Sequence, residues 1–179
     1  MSIKHRLKLV YQKYIKKMSN SEIIIAHLRR IGTSVGERCY IYSNNLETSE
    51  PYLVFIGNDV TIAEGVRFTT HDDSVEAYYR KDTLIVGRIT IGNNCFLGSN
   101  CIVLPGVTLA DKCIVGAGSV ITKSFMEEGT VIAGCPAREI SKVNDLYRKN
   151  EKYIVETSGM DYHRRKEYFL THPEVLKKV

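Results

Sequence analysis

A large apolar residue recurs at every sixth position of this chain from Ile56 onward, with one interruption. The positions are Ile56, Ile62 and Phe68 and, after the interruption, Ile85, Ile91, Leu97, Val103, Leu109, Val115 and Ile121. Four places after each of these, most residues are small or β-branched, as at Val60, Cys95 and Cys101. A helix repeats about every 3.6 residues and an ordinary strand every two, so a period of six fits neither. The repeat predicts an all-β parallel β-helix, in which each hexad forms a short strand and a turn.

Three hexads complete one coil of such a helix, which places residues 18 positions apart directly above one another at about 4.8 Å. We therefore expect Val103 to stack on Ile121 and Cys95 to stack on Cys113. The chain has five cysteines, an odd number without a CxxC pair, and three of them fall in the small inward column. This pattern favours packing in the interior over disulfides or a zinc site.

Composition and charge narrow the class of protein. With 179 residues, 44% of them apolar, the chain can bury a core as one domain with appendages. It contains no run of about 18 apolar residues and no apolar signal sequence, so we expect a cytoplasmic protein. The net charge of +5 comes from residues 1–30, which hold eight Lys or Arg residues against Glu22 alone. Because the remainder is close to neutral, a groove for nucleic acid along the main body is not expected.

The two ends of the chain have helical rather than six-residue periodicity. In residues 1–30, apolar residues at steps of three or four leave the basic residues on the other faces, which predicts a basic amphipathic segment of two short helices. Ser19 and Glu22 match a capping box before the second helix, and Gly32 suits its end. Residues 143–179 are charged and rich in tyrosine, and we expect a C-terminal helical extension that closes the open end of the β-helix.

An insertion interrupts the repeat after Phe68. The inserted loop, residues 71–84, is polar and aromatic, and a loop that projects from a rigid scaffold is where catalytic and binding groups concentrate. His71 stands at its start. The other histidines are interpreted as surface residues of the helical ends: His5, His27, His163 and His172.

Three segments make the chain resemble the left-handed β-helix acyltransferases, the hexapeptide-repeat family that includes maltose, galactoside and capsular polysaccharide O-acetyltransferases. They are SEPYLVFIGNDVTIAEGVRFTTHD (49–72), IGNNCFLGSNCIVLPGVTL (91–109), and IVGAGSVITK followed by AGCPAR (114–138). The resemblance covers about residues 31–142. It implies a left-handed coil, a homotrimer and acetyl-CoA bound in a cleft between subunits, with His71 as general base. The cofactor contacts carried over by motif are Gly98, Ser99, Ala117, Thr122, Lys123 and Arg138.

The resemblance implies transfer of an acetyl group from acetyl-CoA to a hydroxyl of a sugar or saccharide precursor, in capsule or cell-envelope polysaccharide modification. Neutral His71 would deprotonate that hydroxyl, and a backbone N–H of Gly98 or Ser99 would hold the oxyanion. Asp72 is a second catalytic candidate, either orienting His71 or binding the acceptor, with simple solvation as the alternative. The candidates for acceptor binding are Glu47, Ser49, Glu50 and Tyr52 before the repeat and Tyr78, Tyr79 and Arg80 in the loop.

Other functions stay open at this point. An N-acetyltransferase acting on an amino-sugar would use the same base and the same cofactor groove. A catalytically silent β-helix scaffold is a further alternative, with peripheral membrane contact through the cationic N-terminal helix. A zinc enzyme is disfavoured because catalytic zinc commonly has three protein ligands and the repeats contain only His71, so we expect no metal.

Overall fold

The computed structural model describes Lys13, residues 18–46 and residues 48–177. The first predicted helix and Glu47 therefore lie outside the described residues. The chain divides into two compact units at the Val143–Asn144 boundary, and each is described by itself. No helix in the described ranges is long and apolar enough to cross a membrane.

Helix α1 (Asn20–Ile31) begins and ends where the sequence predicts. Ser19 Oγ accepts a hydrogen bond from Glu22 N at 3.2 Å, and Glu22 Oε2 accepts one from Ser19 N at 2.7 Å, which completes the capping box. Gly32 ends the helix in the left-handed region, with a φ of 112°, and its N–H donates to Arg29 O. Leu28 is buried on the side that faces the β-helix core.

The described residues form fifteen short strands, of which thirteen belong to three faces of a parallel β-helix and two form a small hairpin. Face 1 holds β1 (Ser34–Val35), β3 (Val54–Ile56), β8 (Ile89–Ile91) and β11 (Thr108–Leu109). Face 2 holds β2 (Tyr40–Ile41), β4 (Thr61–Ile62), β9 (Phe96–Leu97), β12 (Ile114–Val115), β14 (Thr130–Gly134) and β15 (Ala137–Lys142). Face 3 holds β5 (Arg67–Phe68), β10 (Ile102–Val103) and β13 (Val120–Ile121). The chain visits faces 1, 2 and 3 in turn, so each coil has three corners.

The coils stack in the predicted register. Val103 pairs with Ile121 on face 3, and Leu97 pairs with Val115 on face 2, in both cases 18 positions apart. Across the insertion the separation grows to 35 positions, as between Phe68 and Val103. The repeating apolar residues of these strands point inward and are buried, so they form one continuous core.

The inward cysteines pack as predicted. Phe96 pairs with Ile114, which places Cys95 and Cys113, the residues immediately before them, one above the other. Both are buried free thiols. Cys95 Sγ donates to Ala110 O at 3.2 Å, a bond to the next coil that satisfies the thiol.

The insertion forms an arm rather than an irregular loop. Strands β6 (His71–Asp72) and β7 (Ile85–Val86) pair antiparallel, and α2 (Ser74–Tyr79) lies between them. Ile85 was expected to resume the inward column, and that expectation is wrong: its side chain is 50% exposed on the arm. The coil resumes only at β8, because residues 85 and 86 pair with β6 and not with a neighbouring coil.

The β-helix ends in an antiparallel pair and not in another coil. Strand β14 adds to face 2 beside β12, and β15 then turns back along β14. The second compact unit contains most of α3 (Val143–Asn150) and all of α4 (Tyr162–Thr171), with short 3₁₀ turns at Glu151–Tyr153 and Pro173–Val175. Its closure of the β-helix end stays a prediction.

Candidate active site

His71 lies at the corner between faces 3 and 1, where the arm leaves the coil. Its Nδ1 is 2.8 Å from Glu50 Oε2, and the same oxygen accepts a 2.6 Å hydrogen bond from Thr70 Oγ1. Glu50 belongs to the coil below and directly precedes the 3₁₀ turn Pro51–Leu53. The side chains of His71 and Glu50 are 28% and 14% exposed, so the pair is largely shielded while the imidazole still reaches the surface.

The hydrogen bonds at Glu50 fix its charge and the tautomer of His71. The bond from Thr70, followed by the bond from His71, lowers the pKa of the Glu50 carboxyl. An ionised carboxylate only accepts hydrogen bonds, so Nδ1 of His71 carries the proton and donates it. Nε2 is then left with its lone pair in the neutral ring. The bond to Glu50 also raises the pKa of His71, against the opposing effect of desolvation.

The two aspartates that follow His71 occupy different positions. Asp72 is exposed and its Oδ1 accepts from Ser74 N at 2.8 Å, so its carboxylate is held at the start of α2 and not by His71 Nδ1. Asp73 Oδ1 lies 3.6 Å from His71 Nε2. The orienting contact considered for Asp72 is thus made by Glu50, because adjacent strand residues point to opposite sides.

An open pocket of about 340 Å³ adjoins His71. Its walls come from the segment before Glu50 and from the end of β5: Thr48, Ser49, Phe68, Thr69, Thr70 and His71. Four of these six residues carry a hydroxyl group, and Phe68 is the aromatic one. The volume is in the range of small-molecule sites.

Four of the residues predicted to bind the cofactor gather near the corner between faces 2 and 3. Gly98 and Ser99 follow β9, and Ala117 follows β12 one coil above. A Cβ on Gly98 would lie 2.6 Å from Ala117 N, so only glycine permits this stacking. Arg138 is exposed on β15 opposite Ala133, which itself stacks on Gly116. This corner therefore combines bare backbone with one guanidinium group.

Thr122 and Lys123 lie elsewhere. They follow β13 and are exposed at the corner between faces 3 and 1, two coils above the level of His71, or about 10 Å along the helix axis. Lys123 Nζ lies 5.6 Å from the centre of the Phe125 ring. In one copy of the chain, the predicted cofactor residues are thus divided between two corners that face 3 separates.

The backbone N–H of Gly98 is not available as an oxyanion donor. It donates to Val115 O at 2.9 Å as part of the stacking between coils. Of the two expected donors, Ser99 is the one that remains a candidate.

Comparison with known proteins assigns the chain to a family. Residues 88–123 match the family described as "Hexapeptide repeat of succinyl-transferase". Protein CapG of Staphylococcus aureus is 39% identical over 163 residues, which cover 89% of this chain and 94% of CapG. The chain belongs to the hexapeptide-repeat acyltransferase family. The β-helix of this hexapeptide-repeat protein is left-handed, although most parallel crossovers in proteins are right-handed.

Two further comparisons concern galactoside acetyltransferases. The galactoside O-acetyltransferase of Escherichia coli K12 is 40% identical over 106 residues, which cover 58% of this hexapeptide-repeat chain and about half, 52%, of that enzyme. A solved structure of galactoside acetyltransferase in complex with coenzyme A is 30% identical with a TM-score of 0.58, and the match covers 79% of this chain and 80% of that one.

The residues predicted for acceptor binding are only partly brought together in this hexapeptide-repeat protein. Glu50 Oε2 contacts His71, so this oxygen is not free to bind the acceptor sugar. Tyr52 is exposed in the adjacent 3₁₀ turn, and Tyr79 and Arg80 are exposed at the end of α2. Glu47 lies outside the described residues. Sequence reasoning missed the Glu50–His71 contact, for which the only signal was the position of Glu50 just before the first hexad.

Metal binding was also considered from the sequence. Within residues 18–46 and 48–177, no three His, Cys, Asp or Glu side chains are grouped so that they could hold a metal ion. The expectation that the enzyme uses no metal stays a prediction.

Proposed function

We propose that this protein transfers the acetyl group of acetyl-CoA to a hydroxyl of a sugar or saccharide precursor, with His71 as general base. The observation that carries the proposal is the 2.8 Å contact between Glu50 Oε2 and His71 Nδ1 beside an open pocket. Family membership and the coenzyme A complex of a 30% identical galactoside acetyltransferase support the reaction class.

In this mechanism Nε2 of neutral His71 takes the proton of the acceptor hydroxyl as its oxygen attacks the thioester carbonyl carbon. A C–O bond forms, the C–S bond breaks, and the imidazolium returns the proton to the departing thiolate. Glu50 holds the ring in the required tautomer and stabilises the imidazolium, as a carboxylate does beside other catalytic histidines. Ser99 N–H is our candidate for the oxyanion donor, a role typically worth about 3 kcal/mol. Asp72 contributes negative charge beside the pocket.

Acetyl-CoA would be held by groups from both corners. Gly98, Ser99 and Ala117 offer a narrow backbone-lined groove, and Lys123 and Arg138 suit its phosphates. Because face 3 separates these groups in one copy, we infer that the cleft forms between neighbouring copies of a homotrimer, with Thr122 and Lys123 on one side. His71 at the same corner as Lys123 would then face the thioester bound against its neighbour.

The acceptor class follows from the relatives and from the chemistry of the pocket. Two of the named relatives are galactoside acetyltransferases, and residues with hydroxyl groups beside an aromatic residue suit a sugar. Tyr52, Tyr79 and Arg80 are exposed, and they are proposed to contact the outer part of the acceptor. A role in capsule or cell-envelope polysaccharide modification and a cytoplasmic location stay predictions, as does membrane contact by residues 1–18.

The decisive experiment measures release of the CoA thiol, with mass detection of the product, from acetyl-CoA and a panel of sugars, nucleotide-sugars and amino-sugars. His71→Ala should lower turnover by about 10²- to 10⁴-fold. His163→Ala, a histidine of the second unit, should stay within about twofold of the wild type. Equal loss in both variants, or none in either, would reject His71 as the base, and faster acetylation of the amino-sugars would favour N-acetylation.

The shared cleft has its own test. Light scattering should give the mass of three chains. Mixed oligomers of His71→Ala and Arg138→Ala subunits should recover activity that neither variant has alone, because some clefts would combine two intact sides. Activity of a stable monomer equal to that of the wild-type oligomer would overturn the shared cleft.

A further inference from the structure

Two hydroxyl groups in the described part of the chain are buried without a hydrogen-bond partner: Oγ1 of Thr33 and Oγ1 of Thr48. An unpaired buried hydroxyl costs stability, so each requires an explanation. Thr33 lies between α1 and β1, away from any pocket described here. Thr48 lines the pocket beside His71, two positions before Glu50.

The other threonines of the same pocket already have partners. Thr69 Oγ1 donates to Val103 O at 3.0 Å, and Thr70 Oγ1 donates to Glu50 Oε2 at 2.6 Å. Their hydroxyls therefore belong to the coil and to the His71–Glu50 pair. Thr48 is the threonine of this pocket whose hydroxyl no group of the described chain uses.

A rotation of about 120° about χ1 moves Oγ1 of a threonine from one staggered position to another. Such a rotation at Thr48 would turn the hydroxyl into the pocket, where a ligand could pair with it. A hydroxyl both donates and accepts, so it matches the hydroxyl of a sugar in either direction.

The charges around the pocket restrict the ligand further. Among the described residues that line it there is no Lys, Arg, Asp or Glu, and His71 is the one titratable residue among them. Glu50 contacts Nδ1 of the imidazole and Asp73 Oδ1 lies 3.6 Å from Nε2, so carboxylates lie on both sides of the ring. Like charges repel, and an anionic sugar would therefore be disfavoured.

We propose that Thr48 is an acceptor-binding residue, whose hydroxyl pairs with a second hydroxyl of an uncharged monosaccharide unit while a neighbouring hydroxyl of that sugar reacts at His71. This inference rests on the proposed function, because it names the acceptor class of the same site. It adds a residue whose hydroxyl has no hydrogen-bond partner among the described residues and would act on the acceptor alone.

The test compares Thr48→Val with Thr33→Val, a matched pair in which each change replaces an unpaired buried hydroxyl by a methyl group. Neither variant should have a lower melting temperature than the wild type, since each loses an unsatisfied polar group. At saturating acetyl-CoA, Thr48→Val should raise KM for a neutral glycoside by about three- to tenfold, the factor that one neutral hydrogen bond supplies. Thr33→Val should leave that KM unchanged, and Thr48→Ser should restore it.

Deoxy acceptors identify the partner hydroxyl. With the wild type, one deoxy analogue should have a KM higher than that of the parent sugar by the same factor. With Thr48→Val, the KM of that analogue should be no higher than that of the parent sugar. An unchanged acceptor KM in Thr48→Val, or a uronic acid preferred over its neutral counterpart, would overturn the proposal while leaving acetyl transfer intact. Absence of turnover by the wild type with every sugar would instead reject the proposed function, and this assignment with it.

Discussion

Glu50 Oε2 lies 2.8 Å from His71 Nδ1, although 21 positions separate the two residues in the chain. They belong to successive coils and meet at one corner of the β-helix. The contact gives this partly shielded histidine a defined tautomer and a raised pKa. A histidine arranged in this way is suited to remove a proton from a hydroxyl group.

Glu50→Gln should lower kcat by about 10- to 100-fold, because the neutral amide stabilises the imidazolium less and holds the ring tautomer less firmly. Activity requires neutral His71, so kcat rises with pH through the pKa of this residue. The bond to Glu50 is the main cause that raises this pKa, so the variant's rising limb should move to lower pH. Profiles of kcat against pH measure both effects. Glu174→Gln, an exposed carboxyl of the second unit, is the control, and an unmoved limb in Glu50→Gln would contradict the assignment.

Thr70→Val should weaken the contact between Glu50 and His71, because it removes the hydrogen bond that Thr70 donates to Glu50. The hydrogen bond from Thr70 is the largest cause that lowers the pKa of Glu50, so its loss lets that pKa rise and weakens the contact with His71. We expect kcat to fall by about three- to tenfold, as for one lost hydrogen bond. Thr130→Val is the matched control, because Thr130 is also buried and its hydroxyl donates to Glu127 O at 2.9 Å. A similar loss of kcat in both variants would indicate a general loss of stability instead.

Gly98→Ala should damage both the coil and the cofactor groove. The added Cβ would lie 2.6 Å from Ala117 N and 2.8 Å from Val115 O, which are backbone atoms that cannot move aside separately. We expect a loss of about 1–3 kcal/mol in the free energy of unfolding and a weaker Kd for acetyl-CoA. Denaturant titration and calorimetry measure the two quantities. Gly159→Ala has no atom within 4 Å of its Cβ and lies in the second unit, so its Kd should equal that of the wild type.

Leu97→Ala tests the core. Leu97 is fully buried and pairs with Ile62 below and Val115 above, so the truncation leaves a cavity between three coils. The free energy of unfolding should fall by about 2–5 kcal/mol. Ile140→Ala removes an aliphatic side chain that is 64% exposed, and should cost less than about 0.5 kcal/mol. Equal losses in the two variants would show that the inward column is not the core.

The six-residue period was sufficient to predict the β-helix, the stacking of Val103 on Ile121, and that of Cys95 on Cys113. This was possible because inward and outward positions in a coil depend only on local spacing. The same local logic predicted α1, whose capping box and terminal glycine lie within the helix or next to it. Residues at corners, such as Gly98 and Ala117, also follow from the register once the coil is assumed.

The prediction that Ile85 lies in the inward column was wrong because its position is not decided by local spacing. Ile85 fits the period of six, but the pairing of β7 with β6 holds it on the arm, and such a pairing between distant strands is not a local property. Spacing alone cannot distinguish an aliphatic residue of the core from one on a hairpin that leaves the core.

The sequence by itself thus determined the repeat, its inward column, the site of the insertion and His71 as the candidate base. Only the tertiary structure paired His71 with Glu50. The step of 21 positions between them equals that between Ile41 and Ile62, in a first coil that holds three residues more than the later ones. Glu50 precedes the first hexad, so no period in the sequence gave its register, and its contact with His71 depends on how the first two coils stack.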